Sequence, residues 1–97
     1  MKAQVDPKGR ICVKKFYDSM GVELRERQRY VVQELENGWI QFIEFSSIEE
    51  LDPQKKYSFF SKLDNEGRII IPIEYRWSGL KVVEMFLFGG HLTISFY

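Results

Sequence analysis

Two arginines in this chain stand in the same chemical setting. Arg10 closes Asp6-Pro7-Lys8-Gly9-Arg10, and Arg68 closes Asp64-Asn65-Glu66-Gly67-Arg68. A guanidinium is a planar, permanently charged fork that matches phosphate oxygens or the edge of a guanine. The aspartate four residues earlier has a local use too: it can bond backbone N–H groups of a turn and hold the arginine. Around the first box Lys8, Lys14 and Lys15 add cations, which attract phosphate without reading sequence. This spacing supports two readings. In one, Lys8, Arg10, Lys14, Lys15 and Arg68 face a polyanion. In the other, the arginines are locked to Asp6 and Asp64 and the lysines form a solvated face.

Other chemistries find little support. A single cysteine, Cys12, excludes an internal disulfide and a cysteine-rich metal site, and its apolar run Ile11-Cys12-Val13 predicts a buried thiol. The one histidine, His91, has no second ligand type nearby. No nucleophile–base set, phosphate-binding glycine loop or metal-ligand cluster is present, so an enzyme is not expected and no cofactor, metal or small-molecule substrate is implied. Arg25, Arg27 and Arg29 alternate with Glu26 and Gln28. They read as an exposed, self-compensating loop, or as a second phosphate contact. Trp39 and Trp77 read as core or interface anchors rather than base-stacking groups. The runs Phe59-Phe60 and Met85-Phe86-Leu87-Phe88 read as strands buried on both faces or as an oligomer contact.

The elements that position these residues come from a duplication. Residues 5–21 match residues 63–79 at an offset of 58 without a gap, from the boxes through Tyr17 and Tyr75 to Gly21 and Gly79. Each box predicts a hairpin turn whose glycine takes positive φ. Strands are expected over residues 2–6 and 57–64 and over the apolar runs that follow each box. Short helices are expected at 15–20, stopped by Gly21, and at 73–78, opened by Pro72 and stopped by Gly79. A second hairpin then follows in each copy: residues 29–36 and 39–45 around Asn37-Gly38, and 82–88 and 91–97 around Gly89-Gly90. Between them Ser46 or Ser47 caps a short helical linker ending near Pro53. The organisation is thus ββ-α-ββ twice: a first repeat at 1–45, a linker at 46–56 and a second repeat at 57–97, the two sharing one core. A unit of this size hardly buries a core alone.

Composition sets the outer limits. The 97 residues carry 14 basic and 14 acidic groups, a net charge of zero. Any cationic face must therefore be built by geometry. Residues 1–45 hold eight basic groups against seven acidic ones, residues 57–97 hold four of each, and the linker sets Glu49, Glu50 and Asp52 against Lys55 and Lys56. With 29% charged residues and no long apolar run, neither a membrane span nor a secretory signal is expected. A cytoplasmic protein is the expectation.

The pattern Asp-x-x-Gly-Arg, three apolar residues, Pro, three residues, Arg and then Gly, seen at residues 64–79, resembles the AbrB/MazE/MraZ group with its swapped-hairpin (SpoVT-AbrB) fold. Two boxes in one chain are most similar to the MraZ type. The resemblance implies a mainly β fold with short helices, in which two ββ-α-ββ units form an interleaved barrel. It also implies a bacterial-type transcriptional regulator that meets double-stranded DNA with arginines of the box and helix, with a homo-oligomer as a further expectation. Carried over, Arg10 and Arg68 match the box arginine and Arg76 the helix arginine. The first copy departs from the pattern: Lys14 replaces the proline, and Asp18 stands where Arg76 does. Asp18 would repel a phosphate, so the two halves are expected to read DNA unequally. The alternative is a protein-interaction or self-assembly module of the same fold that has weakened or lost DNA binding.

Overall fold

The computed structural model describes residues 1–25, 28–54, 57 and 59–96, with residue 59 described by its backbone alone. Glu26, Arg27, Lys55 and Lys56, named above, lie outside the described residues, as does Tyr97 at the end of the expected last strand. Among the described residues the strands are, in chain order, β1 (Lys2–Gln4), β2 (Arg10–Cys12), β3 (Arg29–Glu34), β4 (Ile40–Phe45), β5 (Phe59–Lys62), β6 (Arg68–Ile70), β7 (Val82–Phe88) and β8 (His91–Phe96), with one α-helix, α1 (Lys14–Ser19). The fold is mainly β, with a curled antiparallel sheet that forms half a barrel and only short helical turns.

Each box closes a turn and then sends its two strands to different partners. Gly9 N–H donates to the Asp6 carbonyl at 2.9 Å and Asp6 N–H to the Arg10 carbonyl at 3.0 Å; Gly67 and Asp64 do the same at 3.2 and 2.9 Å. Both glycines have positive φ, +81° and +77°, which a side chain disfavours. Beyond the turn, β1 pairs with β7, and β2 pairs with β6. β5, the counterpart of β1, pairs with β3. The six-stranded sheet therefore runs β1-β7-β8-β4-β3-β5, and β2-β6 forms a separate two-stranded ribbon. Each repeat lends a strand to the other within one chain.

The registers obey a pseudo-two-fold axis. Ile11 faces Ile69 at the centre of the ribbon, and Gln41 faces Thr93 where β4 meets β8. Reciprocal ties lock the halves: Val13 N–H donates to the Gly67 carbonyl and Ile71 N–H to the Gly9 carbonyl, both at 2.8 Å. One core draws on both repeats. Ile11, Phe16, Tyr30, Phe42, Ile69 and Ile94 are almost fully buried, and each such side chain contributes about 1.5–3 kcal/mol. Beside it the Tyr17 hydroxyl donates to Glu44 at 3.2 Å, and Glu44 also meets His91 at 3.3 Å. Burial, helped by Tyr30 and Glu44, pushes the Tyr17 phenol well above its ordinary range.

Several sequence expectations are corrected. The helix expected at 15–20 forms as α1 and ends as foreseen: Gly21 at φ +68° donates to Asp18 O, and Val22 donates to Tyr17 O. Its counterpart is only a 3₁₀ turn, Ile73–Tyr75, after which Arg76 is extended at φ −105°, ψ 135°. The reason is tether length. Ser61 faces Tyr30, whereas its counterpart Ala3 faces Val83. Tyr30 therefore corresponds to Val83 at an offset of 53 rather than 58, and the second connection is five residues shorter. An extended residue spans about twice the length of a helical one, so this segment extends to reach β7. Among the described residues of the linker the helical part is likewise only a 3₁₀ turn, Ile48–Glu50, capped by Ser47.

Cys12 is exposed rather than buried. In a strand successive side chains alternate faces, so Ile11 takes the core and Cys12 shares the outer face with Arg10. The 85–88 run is not buried on both faces: Met85 is buried, while Leu87 and Phe88 are 40% and 51% exposed. Phe60 is 58% exposed. Trp77 lies on the surface against Phe96, and half-buried Trp39 meets the rings of Phe86 and Phe88 edge-on. Among the described residues no helix is long and apolar enough to cross a membrane.

Candidate nucleic-acid interface

Each box aspartate does the work of a clamp. Asp6 Oδ1 accepts the amides of Lys8 and Arg10 at 2.9 and 2.8 Å, and Oδ2 accepts Arg10 Nε at 2.7 Å. Asp64 repeats this with the amides of Glu66 and Arg68, both at 2.9 Å, and with Arg68 Nε at 3.0 Å. The Arg10 amide, joined by the Arg10 guanidinium and the Lys8 amide, holds the Asp6 carboxyl below its ordinary value of 3.8 against an opposing push from burial. At Asp64 burial pushes upward, but the Arg68 and Glu66 amides and the Arg68 guanidinium outweigh it, and the net shift is again downward. The structural role of the Asp–Arg pair is therefore present in both copies. It does not consume the guanidinium, because the bond is made by Nε.

The ribbon brings the two arginines together. Arg10 faces Ile70 and Arg68 faces Cys12, so the arginines are diagonal neighbours on the face opposite Ile11 and Ile69. Arg10 Nη1 lies 4.0 Å from Asp64 Oδ2, which links the two clamps. Both arginine side chains are about one-quarter exposed, at 27% and 26%. On the same side a cleft of about 650 Å³ is lined by Arg10, Arg68, Lys15, Cys12, Lys2 and Met1, among others. Burial would lower the Arg68 guanidinium, and the carboxylates of Asp64, Glu66 and Asp6 outweigh it and raise it.

The remaining expected contacts divide between the boxes by exchange. Arg76, from the second repeat, crosses to the first box: its Nη1 donates to the Lys8 carbonyl at 2.9 Å, and it lies so close over Gly9 that a Cβ there would come within 1.9 Å of Nη1. Lys14, from the first repeat, covers Gly67 of the second box, where a Cβ would lie 2.9 Å from the Lys14 Cβ. Lys8 is exposed on the first turn, and the matching position of the second is Glu66. Glu66 holds Arg68 Nη2 at 3.3 Å; the first box has Lys8 at that position and so no carboxylate to do the same for Arg10.

Of the expected contacts, Arg10, Arg68 and Lys15 line one cleft. Lys8 and Arg76 meet at the first turn, and Lys14 stands at the second. Asp18 is exposed on α1. Sequence reasoning missed Lys2, which lines the same cleft as Arg10. Its position four residues before Asp6, on a strand leading into the box, was the available signal. Of the arginine series, Arg29 stacks on Phe45 at 4.9 Å and donates to the Ser46 carbonyl, so it packs locally, and Arg25 is exposed. Among the described residues no group of three His, Cys, Asp or Glu side chains is arranged to hold a metal. No family model matches the chain, and neither a curated protein nor a solved structure matches it.

Proposed function

We propose that this chain is a DNA-binding transcriptional regulator of the AbrB/MazE/MraZ kind, working in the cytoplasm on double-stranded DNA. The observation that carries the reading is the β2–β6 ribbon, which sets Arg10 and Arg68 side by side on one face. The clamps make the reading physical. Asp6 and Asp64 take the Nε of each guanidinium and fix its plane, so little side-chain freedom remains to be lost when the terminal nitrogens meet a phosphate or a guanine edge. Lys15 and Lys2 line the cleft with the pair, Lys8 and Lys14 stand at the two turns, and all four supply sequence-independent attraction. Zero net charge is compatible with this role, because three acidic groups of the first repeat, Glu34, Glu36 and Glu44, lie on β3, β4 and their turn rather than on the ribbon.

The test is fluorescence anisotropy with a labelled duplex from the DNA directly upstream of the protein's own coding sequence, titrated over a range of salt. Submicromolar binding is expected, with a log–log salt slope of about −3 to −4 for four phosphate contacts. Absence of salt-dependent binding below micromolar overturns the reading. A second reading, an interaction module of the same fold, is favoured by the exposure of Phe60 and Phe88.

A further inference from the structure

The two halves differ in the segment that follows α1 or its 3₁₀ counterpart. Leu63 N–H donates to the Gln28 carbonyl and Val5 N–H to the Lys81 carbonyl, both at 2.8 Å, so the two segments end in equivalent ties. Asp18 lies ten positions before Gln28, whereas its counterpart Arg76 lies five before Lys81. The short segment is extended from Arg76 onward. Between it and the first box lies a cleft of about 680 Å³, a size usual for small-molecule sites.

Arg76 and Trp77 both line this cleft. Arg10 and Arg68 each have an aspartate partner, whereas among the described residues Arg76 is held only by the neutral Lys8 carbonyl, through Nη1. Its Nε is buried, which leaves Nη2 as the nitrogen for a ligand to meet. Trp77 rests against Phe96 at 5.3 Å and is 49% exposed, so part of the indole stays open. Lys81 adds a second exposed cation to the lining, together with the exposed side chains of Gln4 and Ser78. The carboxylate of the lining, Asp6, is already taken by two amides and Arg10. The first repeat has no such set. Asp18 stands for Arg76, and Ser19, which stands for Trp77, spends its hydroxyl on the Phe16 carbonyl at 2.7 Å.

We propose that this cleft binds one free nucleoside monophosphate per chain. A guanidinium and an ammonium together suit the dianion of a phosphate monoester, and the open indole offers a base a surface to stack on. Gln4 and Ser78 carry the donors and acceptors that a base edge or a ribose needs. An internal nucleotide of a nucleic-acid strand has a phosphodiester with a single charge, so the two cations favour the free monophosphate. The site stands whether or not the chain binds DNA.

Adenosine monophosphate titrated into isotope-labelled protein and followed by NMR tests this, because two tryptophans give two indole N–H signals. The signal absent from Trp77→Phe is expected to shift and to saturate at one ligand per chain, with a dissociation constant of about 1 mM or tighter. The Trp39 signal, from a ring packed on Phe86 and Phe88, is expected to stay in place. Trp77→Ala and Arg76→Ala are each expected to weaken binding about tenfold, with unchanged circular dichroism. On the unaltered chain, adenosine and inorganic phosphate are each expected to bind at least about tenfold more weakly than the monophosphate. Equal binding of adenosine or of phosphate alone overturns the proposal, as does an equal shift of both indole signals. Tighter binding of a single-stranded tetranucleotide without a terminal phosphate overturns the choice of a free nucleotide.

Discussion

Residue for residue, the turn at 6–10 and the turn at 64–68 close with the same five hydrogen bonds, two between backbone groups and three to the aspartate carboxylate. Their surfaces are nonetheless unlike. The first turn carries Lys8 and receives Arg76 from the other repeat. The second carries Glu66, which engages Arg68, and receives Lys14. The aspartate, glycine and arginine of the box maintain the fold, whereas the third position and the residue swapped in from the other repeat set the charge. Asp18, the first repeat's counterpart of Arg76, takes no arginine from the first box, because the arginine that serves that box comes from the second repeat.

The sharpest way to break this comparison is at the glycines. Gly9→Ala and Gly67→Ala each force a side chain into positive φ, at about 1–2 kcal/mol, and thermal unfolding should fall by roughly 4–8 °C per kcal/mol. The two should differ in rescue. Arg76→Ala removes the atoms that a Cβ at position 9 would strike, so the double variant should recover part of the loss. Lys14→Ala keeps its Cβ and should recover nothing in Gly67→Ala. Equal rescue at both would mean that the exchange of covers is not as described.

The next effect concerns DNA affinity under the proposed function. Arg10→Ala should cost about tenfold or more in the anisotropy assay, within the 1–3 kcal/mol of a specific arginine contact. Arg68→Ala, whose outer nitrogen is already held by Glu66, should cost only about threefold. A larger loss at Arg68 would reverse the ranking of the two halves. Charge at the third box position sharpens the same point. Glu66→Lys should tighten binding severalfold and steepen the salt slope by about one, and Lys8→Glu should do the opposite.

The smallest effect is on pH. Asp6 and Asp64 have folded-state values below the ordinary 3.8. Their stabilisation is therefore complete above the ordinary carboxylate range and is lost as pH falls through the lowered values. The melting temperature should decline on the acid side of about pH 4. Asp6→Asn and Asp64→Asn should each flatten that decline, and an unchanged acid limb in both would show that the clamps add little to stability.

What this sequence determined by itself is what can be closed within a few residues. The box turns, the end of α1 at Gly21 and the hairpins at Asn37-Gly38 and Gly89-Gly90 all depend on bonds spanning no more than about five positions and on the ease of positive φ at glycine. The duplication was legible for the same reason, since both copies repeat those local bonds. What only the tertiary structure decided is which strand meets which. β1 leaves its own hairpin for β7, Cys12 turns outward beside Arg68, and the short second tether pulls Arg76 out of a helix and across to Lys8. Those outcomes depend on where distant segments find apolar surface to cover and how far the chain can reach. Neither the periodicity nor the spacing of a single stretch carries that information.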